Sequence, residues 1–132
     1  MPINAAIELH DSRINSIVEN DGTIVMELAA YLHQSHRRPV IDSGTGWTQS
    51  VRLTFLNAII RGTIVRLPDT ILDGCLTLSD EKLENLFEVP LTHVGPTCMY
   101  LEFANGIDMT ICGDGFRSEC KGIPSFVEPF IP

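Results

Sequence analysis

Hydrophobic and polar positions alternate with period two along much of this chain, most clearly between residues 97 and 122. The apolar positions are Met99, Leu101, Phe103, Ile107, Met109 and Ile111. Such alternation is typical of β-strands with one buried face, and residues opposite each other in an antiparallel pair share a face. A two-residue turn at Asn105-Gly106 would place Glu102 opposite Met109, so that polar and apolar side chains would share one face of the sheet. A three-residue loop over 104–106, with Gly106 in the left-handed conformation, keeps them consistent and places Leu101 opposite Met109 and Met99 opposite Ile111.

The same logic predicts a second corner at Asp114-Gly115, because Asp-Gly is a common two-residue hairpin turn. This turn would complete a three-stranded meander with one apolar and one polar face. Its predicted pairs are Ile111 with Ser118, Met109 with Cys120 and Asp108 with Lys121.

A third hairpin is predicted near the N-terminus, around Asn20-Asp21-Gly22. A three-residue loop there pairs Val18 with Ile24, Ser16 with Met26 and Ile14 with Leu28. Residues 3–9 are typical of a preceding strand that turns at Asp11-Ser12.

These patterns predict an all-β fold. Short strands and turns continue through the middle of the chain, where only residues 79–87 could form a turn or two of helix. We therefore expect a single β-rich domain over 1–132, an antiparallel sandwich or partly open barrel with at most one short helix. The predicted core is Val18, Ile24, Met26, Leu28, Leu53, Phe55, Leu101, Phe103, Met109 and Ile111.

The segment 31–50 interrupts the alternation and is long for a connection in a compact domain. Long loops are often functional, and this one holds the only tryptophan and two adjacent arginines. Aromatic residues with polar tips and arginines that bind carboxylate or phosphate are typical of binding sites. The predicted binding residues are Tyr31, Arg37, Arg38, Asp42 and Trp47.

One motif in this segment, residues 40–45 (Val-Ile-Asp-Ser-Gly-Thr), resembles the active-site turn of retroviral-type aspartic proteases. The resemblance implies a homodimer in which two copies of Asp42 share a proton, one as acid and one as base. The chain has no convincing Gly-rich flap, and residues 111–113 are the candidate for the second element of such a site. The other interpretation is an Asx-type turn in which Asp42 bonds local backbone. We predict no catalytic residue and keep Asp42 as the alternative.

A metal site is a further alternative. His10, followed by Asp11, and His33-x-x-His36 offer imidazole and carboxylate ligands that a β-barrel could bring together, as in cupin-like proteins. The spaced His and Glu pattern of cupins is absent, so no metal is predicted, and His10, His33 and His36 stay as alternative ligands. Phosphate-cradle, dinucleotide and nucleophile-elbow motifs are also absent, so no cofactor is predicted.

Composition limits the kinds of partner and the cellular compartment that we expect for this chain. The net charge is −8 and the pI about 4.8, which argues against nucleic acid or an anionic membrane as partner. No apolar run reaches spanning length and the N-terminus is not typical of a signal peptide, so we expect a cytoplasmic protein. Its four cysteines are then expected to be reduced thiols, although the register places Cys98 opposite Cys112.

Residues 10–12 (His-Asp-Ser), residues 44–49 (Gly-Thr-Gly-Trp-Thr-Gln) and the closing Gly-rich meander resemble small uncharacterised bacterial β-rich proteins. The resemblance implies a fold and no activity. Surplus apolar residues such as Leu56, Ile59 and Ile60 suggest a covered surface. We therefore expect a non-enzymatic binding or assembly module rather than an enzyme, acting as a homo-oligomer or with an immunity-type protein partner.

Overall fold

The computed structural model describes residues 4–62, 66–104 and 106–132, which form strands, turns and short connections without a helix. The strands are β1 (Asn4–Asn20), β2 (Thr23–Ser35), β3 (Gly44–Leu56), β4 (Ile59–Gly62), β5 (Asp69–Leu78), β6 (Glu81–Glu84), β7 (Leu86–Glu88), β8 (Leu91–Phe103) and β9 (Asp108–Phe130). The all-β prediction is confirmed. The possible helical turn over 79–87 is instead a turn at Ser79-Asp80 followed by β6 and β7.

The strands pair antiparallel in the order β6-β5-β8-β9-β3-β2-β1-β7, with β4 also on β9. β1 also pairs briefly with β5, with Arg13 opposite Thr70 and Ile14 opposite Asp69. This pairing connects strands near the two ends of the order. The result is a ring of strands that does not close into a complete barrel. This confirms the predicted sandwich or partly open barrel.

The loop between β8 and β9 follows the prediction. Leu101 lies opposite Met109, Met99 lies opposite Ile111, and Gly106 has a φ of 81°. The Phe103 N–H donates to the carbonyl of Ile107 at 2.9 Å, which closes the loop. Asn105 itself lies outside the described residues.

The predicted corner at Asp114-Gly115 is wrong, because β9 continues through it to Phe130. The glycines here allow a close approach: a Cβ on Gly113 would lie 2.4 Å from the carbonyl oxygen of Leu56. Because β8 and β4 bond the two edges of β9 here and β3 pairs from Gly115 onward, the chain stays extended. The pairs predicted across that corner therefore do not form, and Ser118 lies opposite Leu91 and Leu53.

The first hairpin has a shorter loop than predicted. Asp21 and Gly22 both have positive φ, at 50° and 80°, which is typical of a two-residue type I′ turn. Val18 consequently lies opposite Val25 and is 58% exposed, so its assignment to the core is wrong. An irregularity further along β1 restores the predicted pairing of Ile14 with Leu28. The other predicted core residues are all buried.

The cysteines also differ from expectation. Cys98 and Cys112 lie opposite each other on β8 and β9, as predicted, but they form a disulfide. Cys75 and Cys120 are free. The expectation of reduced thiols is therefore wrong for the paired cysteines in this structure.

Candidate functional site

The segment 31–50 is not one long loop. β2 continues to Ser35 and β3 begins at Gly44, so the connection is residues 36–43. The period-two pattern is weak in this segment because His33 lies opposite Gly46 on one face of the sheet, and neither residue is a typical strand hydrophobe. The predicted binding residues are therefore divided between two strands and one connection.

Within the connection, Arg38 and Asp42 are joined by hydrogen bonds. The Arg38 backbone N–H donates to Asp42 Oδ2 at 3.0 Å, and its Nε donates to the same oxygen at 3.1 Å. The side-chain hydrogen bond from Arg38 is the main reason that the pKa of Asp42 is below its usual range. Asp42 thus bonds local backbone. An aspartate held ionised by an arginine is poorly suited to share a proton with a second carboxylate, which argues against the protease alternative.

Trp47 and Tyr31 lie on opposite faces of the sheet. The Trp47 indole packs on the core side against Phe126, with ring centroids 5.3 Å apart, and its N–H donates to Thr45 Oγ1 at 2.7 Å. Tyr31 is on the outer face and its hydroxyl donates to Glu128 Oε1 at 2.8 Å. The structure therefore does not bring the two aromatic residues into one site.

Arg37 and Arg38 line a groove of about 590 Å³. One wall is the connection 36–43, the other is formed by β6, β7 and the start of β8, and Asn4 and Ala6 of β1 lie between them. Leu83, Leu86 and Ile41 are among its apolar lining residues. Arg37 forms no ion pair with any residue that the structure describes. The groove thus combines an apolar surface with Arg37 on the side of the connection and two carboxylates, Glu81 and Glu88, on the side of β6 and β7.

A second cluster lies where β1 bulges. Between Glu8, opposite Tyr31, and Arg13, opposite Ala29, β1 contains extra residues that have no partner on β2. Asp11 has a φ of 75°, and β-bulges of this kind redirect side chains. As a result, ligand atoms of Glu8, His10 and Asp11 all lie within 4.8 Å of one another. The His10 Nδ1 to Asp11 Oδ2 distance is 3.3 Å.

Hydrogen bonds from buried Ser12 and half-buried Asn85 hold this bulge. Ser12 is fully buried; its hydroxyl donates to the Glu8 carbonyl at 2.5 Å and accepts from the Tyr31 N–H at 3.0 Å. Asn85 accepts the Leu9 N–H on its carbonyl and the His10 N–H on its side-chain oxygen, both at 2.7 Å. Because the bulge's backbone groups find these partners, its shape is fixed.

His33 lies beside this cluster and is only 5% exposed, although it belongs to the outer face. Its Nε2 is 3.0 Å from Glu8 Oε2, and its ring packs edge-on against Tyr31 and Phe130. Its buried Nδ1 has no hydrogen-bond partner among the described residues. Of the three alternative metal ligands, the structure therefore places His10 and His33 next to Glu8. His36 is exposed in the connection and does not join them.

Tyr31 covers the glycine opposite His33. A Cβ on Gly46 would lie 2.1 Å from the Tyr31 hydroxyl oxygen, so the ring occupies the space that a side chain would need. Burial, followed by the hydrogen bond to Glu128 and the charges of Glu128, Glu8 and Asp11, raises the pKa of Tyr31 to about 12. Glu8 and Glu128 were not predicted as site residues. The available signal was that Glu8 and His10 are two residues apart in a strand and so share a face.

Comparison of the chain with protein-family models, curated proteins and solved structures finds no match. Among the described residues there is no helix long and apolar enough to cross a membrane.

Proposed function

We propose that the chain is a non-enzymatic binding module whose ligand occupies the groove beside the connection 36–43. The observation that carries the proposal is the unpaired Arg37 next to an apolar wall. The volume of about 590 Å³ is typical of sites for small organic molecules.

The charges differ between the two walls of the groove: the arginines lie on the connection, whereas Glu81 and Glu88 lie on β6 and β7. A carboxylate ligand would therefore bind at the connection. Arg38 is neutralised by Asp42, so Arg37 is the cation available to a ligand at that end. A guanidinium binds carboxylate in a two-pronged arrangement, and the leucine-rich wall favours an apolar body. The proposed ligand is an amphipathic organic acid.

Isothermal titration of the purified chain with decanoate tests this proposal, with decanol as the neutral comparison. We expect decanoate to bind, and Arg37→Gln to weaken binding about tenfold, since the loss of a charged hydrogen bond costs roughly 1.5 kcal/mol. Arg61→Gln is the matched control, because Arg61 is also exposed but lies on β4. Equal binding of decanoate and decanol, or equal loss in both variants, would contradict the proposal.

A second candidate is self-association, because β9 has an unpaired edge. β8 pairs with β9 only as far as Ser118, and no other described strand lies along that edge beyond it. Ile123, Phe126 and Val127 on this part are 90%, 54% and 46% exposed. Proline lacks the N–H that pairing needs, so Pro124 and Pro129 would interrupt pairing with a second copy and leave residues 119–123 and 125–128 for it.

Light scattering at micromolar concentration tests self-association. We expect a dimer that Val127→Lys converts to a monomer, because an edge lysine discourages strand pairing. Val94→Lys, at a 91% exposed position on β8, should leave the dimer intact. A monomeric wild-type chain would refute this candidate and leave a different protein, such as an immunity-type partner, as the occupant of the edge.

A cytoplasmic location is the remaining part of the proposal, and the Cys98–Cys112 disulfide provides its test. Disulfides persist mainly in oxidising compartments, so a cytoplasmic chain should carry these cysteines as thiols in the cell. Alkylation of the cysteines in intact cells, before and after reduction, measures this. Labelling of Cys98 and Cys112 only after reduction would contradict a cytoplasmic location.

A further inference from the structure

We propose that Glu8, His10 and Asp11 bind a divalent transition-metal ion of the Zn²⁺ class, with His33 holding Glu8 in position. The site is separate from the ligand groove and does not depend on it. It uses a carboxylate pair and an imidazole that the bulge in β1 brings together.

The distances suit a metal. Zinc bonds of about 2.0–2.1 Å place the ligand atoms of a tetrahedral site about 3.3 Å apart. The His10 Nδ1 to Asp11 Oδ2 distance is already 3.3 Å. All three ligand atoms lie within 4.8 Å of one another. The side chains of His10 and Asp11 are 49% and 60% exposed, so they can rotate to bring these atoms closer. The ion would complete its coordination with water.

His33 fixes the position of one ligand. It is a nearly fully buried imidazole whose Nε2 lies 3.0 Å from Glu8 Oε2, while its Nδ1 has no partner among the described residues. With Nε2 as the donor, Nδ1 is the acceptor nitrogen of the ring. This hydrogen bond occupies one oxygen of Glu8 and leaves the other for the ion. Histidine–carboxylate contacts of this type orient the ligands of metal sites.

The backbone of the site is preorganised. Ser12 forms hydrogen bonds with the Glu8 carbonyl and the Tyr31 N–H. Asn85 accepts hydrogen bonds from the N–H groups of Leu9 and His10. The backbone on both sides of Asp11, whose φ is positive, is thus held by hydrogen bonds within the chain. Preorganised ligands lose less conformational entropy when they bind.

The donor set selects the class of ion. Imidazole with carboxylate suits zinc, iron, nickel or copper, whereas magnesium and calcium prefer oxygen ligands alone. Glu128, which accepts the Tyr31 hydroxyl, adds negative charge close by.

Isothermal titration of the chelator-treated full chain with ZnCl₂ tests the proposal. We expect one ion per chain, and at least about tenfold weaker binding in His10→Ala and in Glu8→Gln. His33→Gln should also weaken binding, although it provides no ligand. His36→Ala is the matched control, since His36 lies in the connection outside the cluster. No measurable binding, or equal weakening by His36→Ala, would overturn the proposal.

A second measurement separates this site from the free thiols. Co²⁺ bound to nitrogen and oxygen ligands gives weak visible bands, whereas thiolate ligation adds a strong near-ultraviolet band. We expect the visible bands alone, unchanged in Cys120→Ser and lost in His10→Ala. A thiolate band, or a spectrum that persists in His10→Ala, would assign the metal to other residues. Circular dichroism of each variant verifies that the fold is retained.

Discussion

Replacing Ser12 by alanine should destabilise the chain far more than a serine usually does. The side chain is fully buried and its oxygen satisfies two backbone groups, the Glu8 carbonyl at 2.5 Å and the Tyr31 N–H at 3.0 Å. The substitution leaves both groups without that partner at a place where β1 and β2 do not pair. An unsatisfied buried backbone group costs about 1–3 kcal/mol, so we expect a loss of roughly 2–4 kcal/mol in the free energy of unfolding.

Urea denaturation followed by circular dichroism measures this loss. Ser50→Ala is the control, because Ser50 is exposed on β3 and substitutions at such positions usually change stability by less than about 0.5 kcal/mol. The denaturation midpoint should fall for Ser12→Ala and hold for Ser50→Ala. If the two variants unfold alike, Ser12 does not support the bulge, and the preorganisation argued for the metal site loses its basis.

Three other predictions concern the sheet and its core. Gly46→Ala should cost about 1–3 kcal/mol in denaturation experiments, because its Cβ would lie 2.1 Å from the Tyr31 hydroxyl. Glu128→Gln should lower the pKa of Tyr31 from about 12 towards 10, as measured by tyrosinate absorbance. A raised tyrosine pKa stabilises the fold below pH 10, and that contribution is lost between pH 10 and about 12. In Glu128→Gln the contribution should be smaller, and its loss should be complete at a lower pH. Leu53→Ala, fully buried, should cost about 2–5 kcal/mol, whereas Leu72→Ala, at 45% exposure, should be nearly neutral.

The loop lengths show where local patterns were sufficient and where they were not. The loop before β9 was predicted correctly because only one loop length kept the faces of both strands consistent. In the first hairpin the same argument failed, since Asp21 and Gly22 both adopt positive φ and form a tighter turn. The faces were then realigned by an irregularity between Ile14 and Ser16, which no alternation pattern reveals.

The candidate sites could also be predicted only in part from the sequence. The sequence drew attention to Arg37, Asp42 and the histidines by residue type alone. It did not indicate that Asp42 binds Arg38 or that His33 faces Glu8, because these contacts depend on the shape of the connection and on a cross-strand neighbourhood. Glu8 was missed since a single glutamate in an alternating strand is ordinarily a solvent-facing residue.

The amino-acid sequence by itself determined the all-β class, most of the core and the loop between β8 and β9. Side-chain alternation and turn chemistry are local properties, and they act within a few residues of each other. Only the tertiary structure decided that β9 runs straight through Asp114-Gly115 and that β1 bulges at Asp11. An extended path through glycine or a bulge is stabilised by whichever distant strands supply its hydrogen bonds. Those partners, β3 and β4 for β9 and Asn85 for β1, are brought together only when the ring of strands forms.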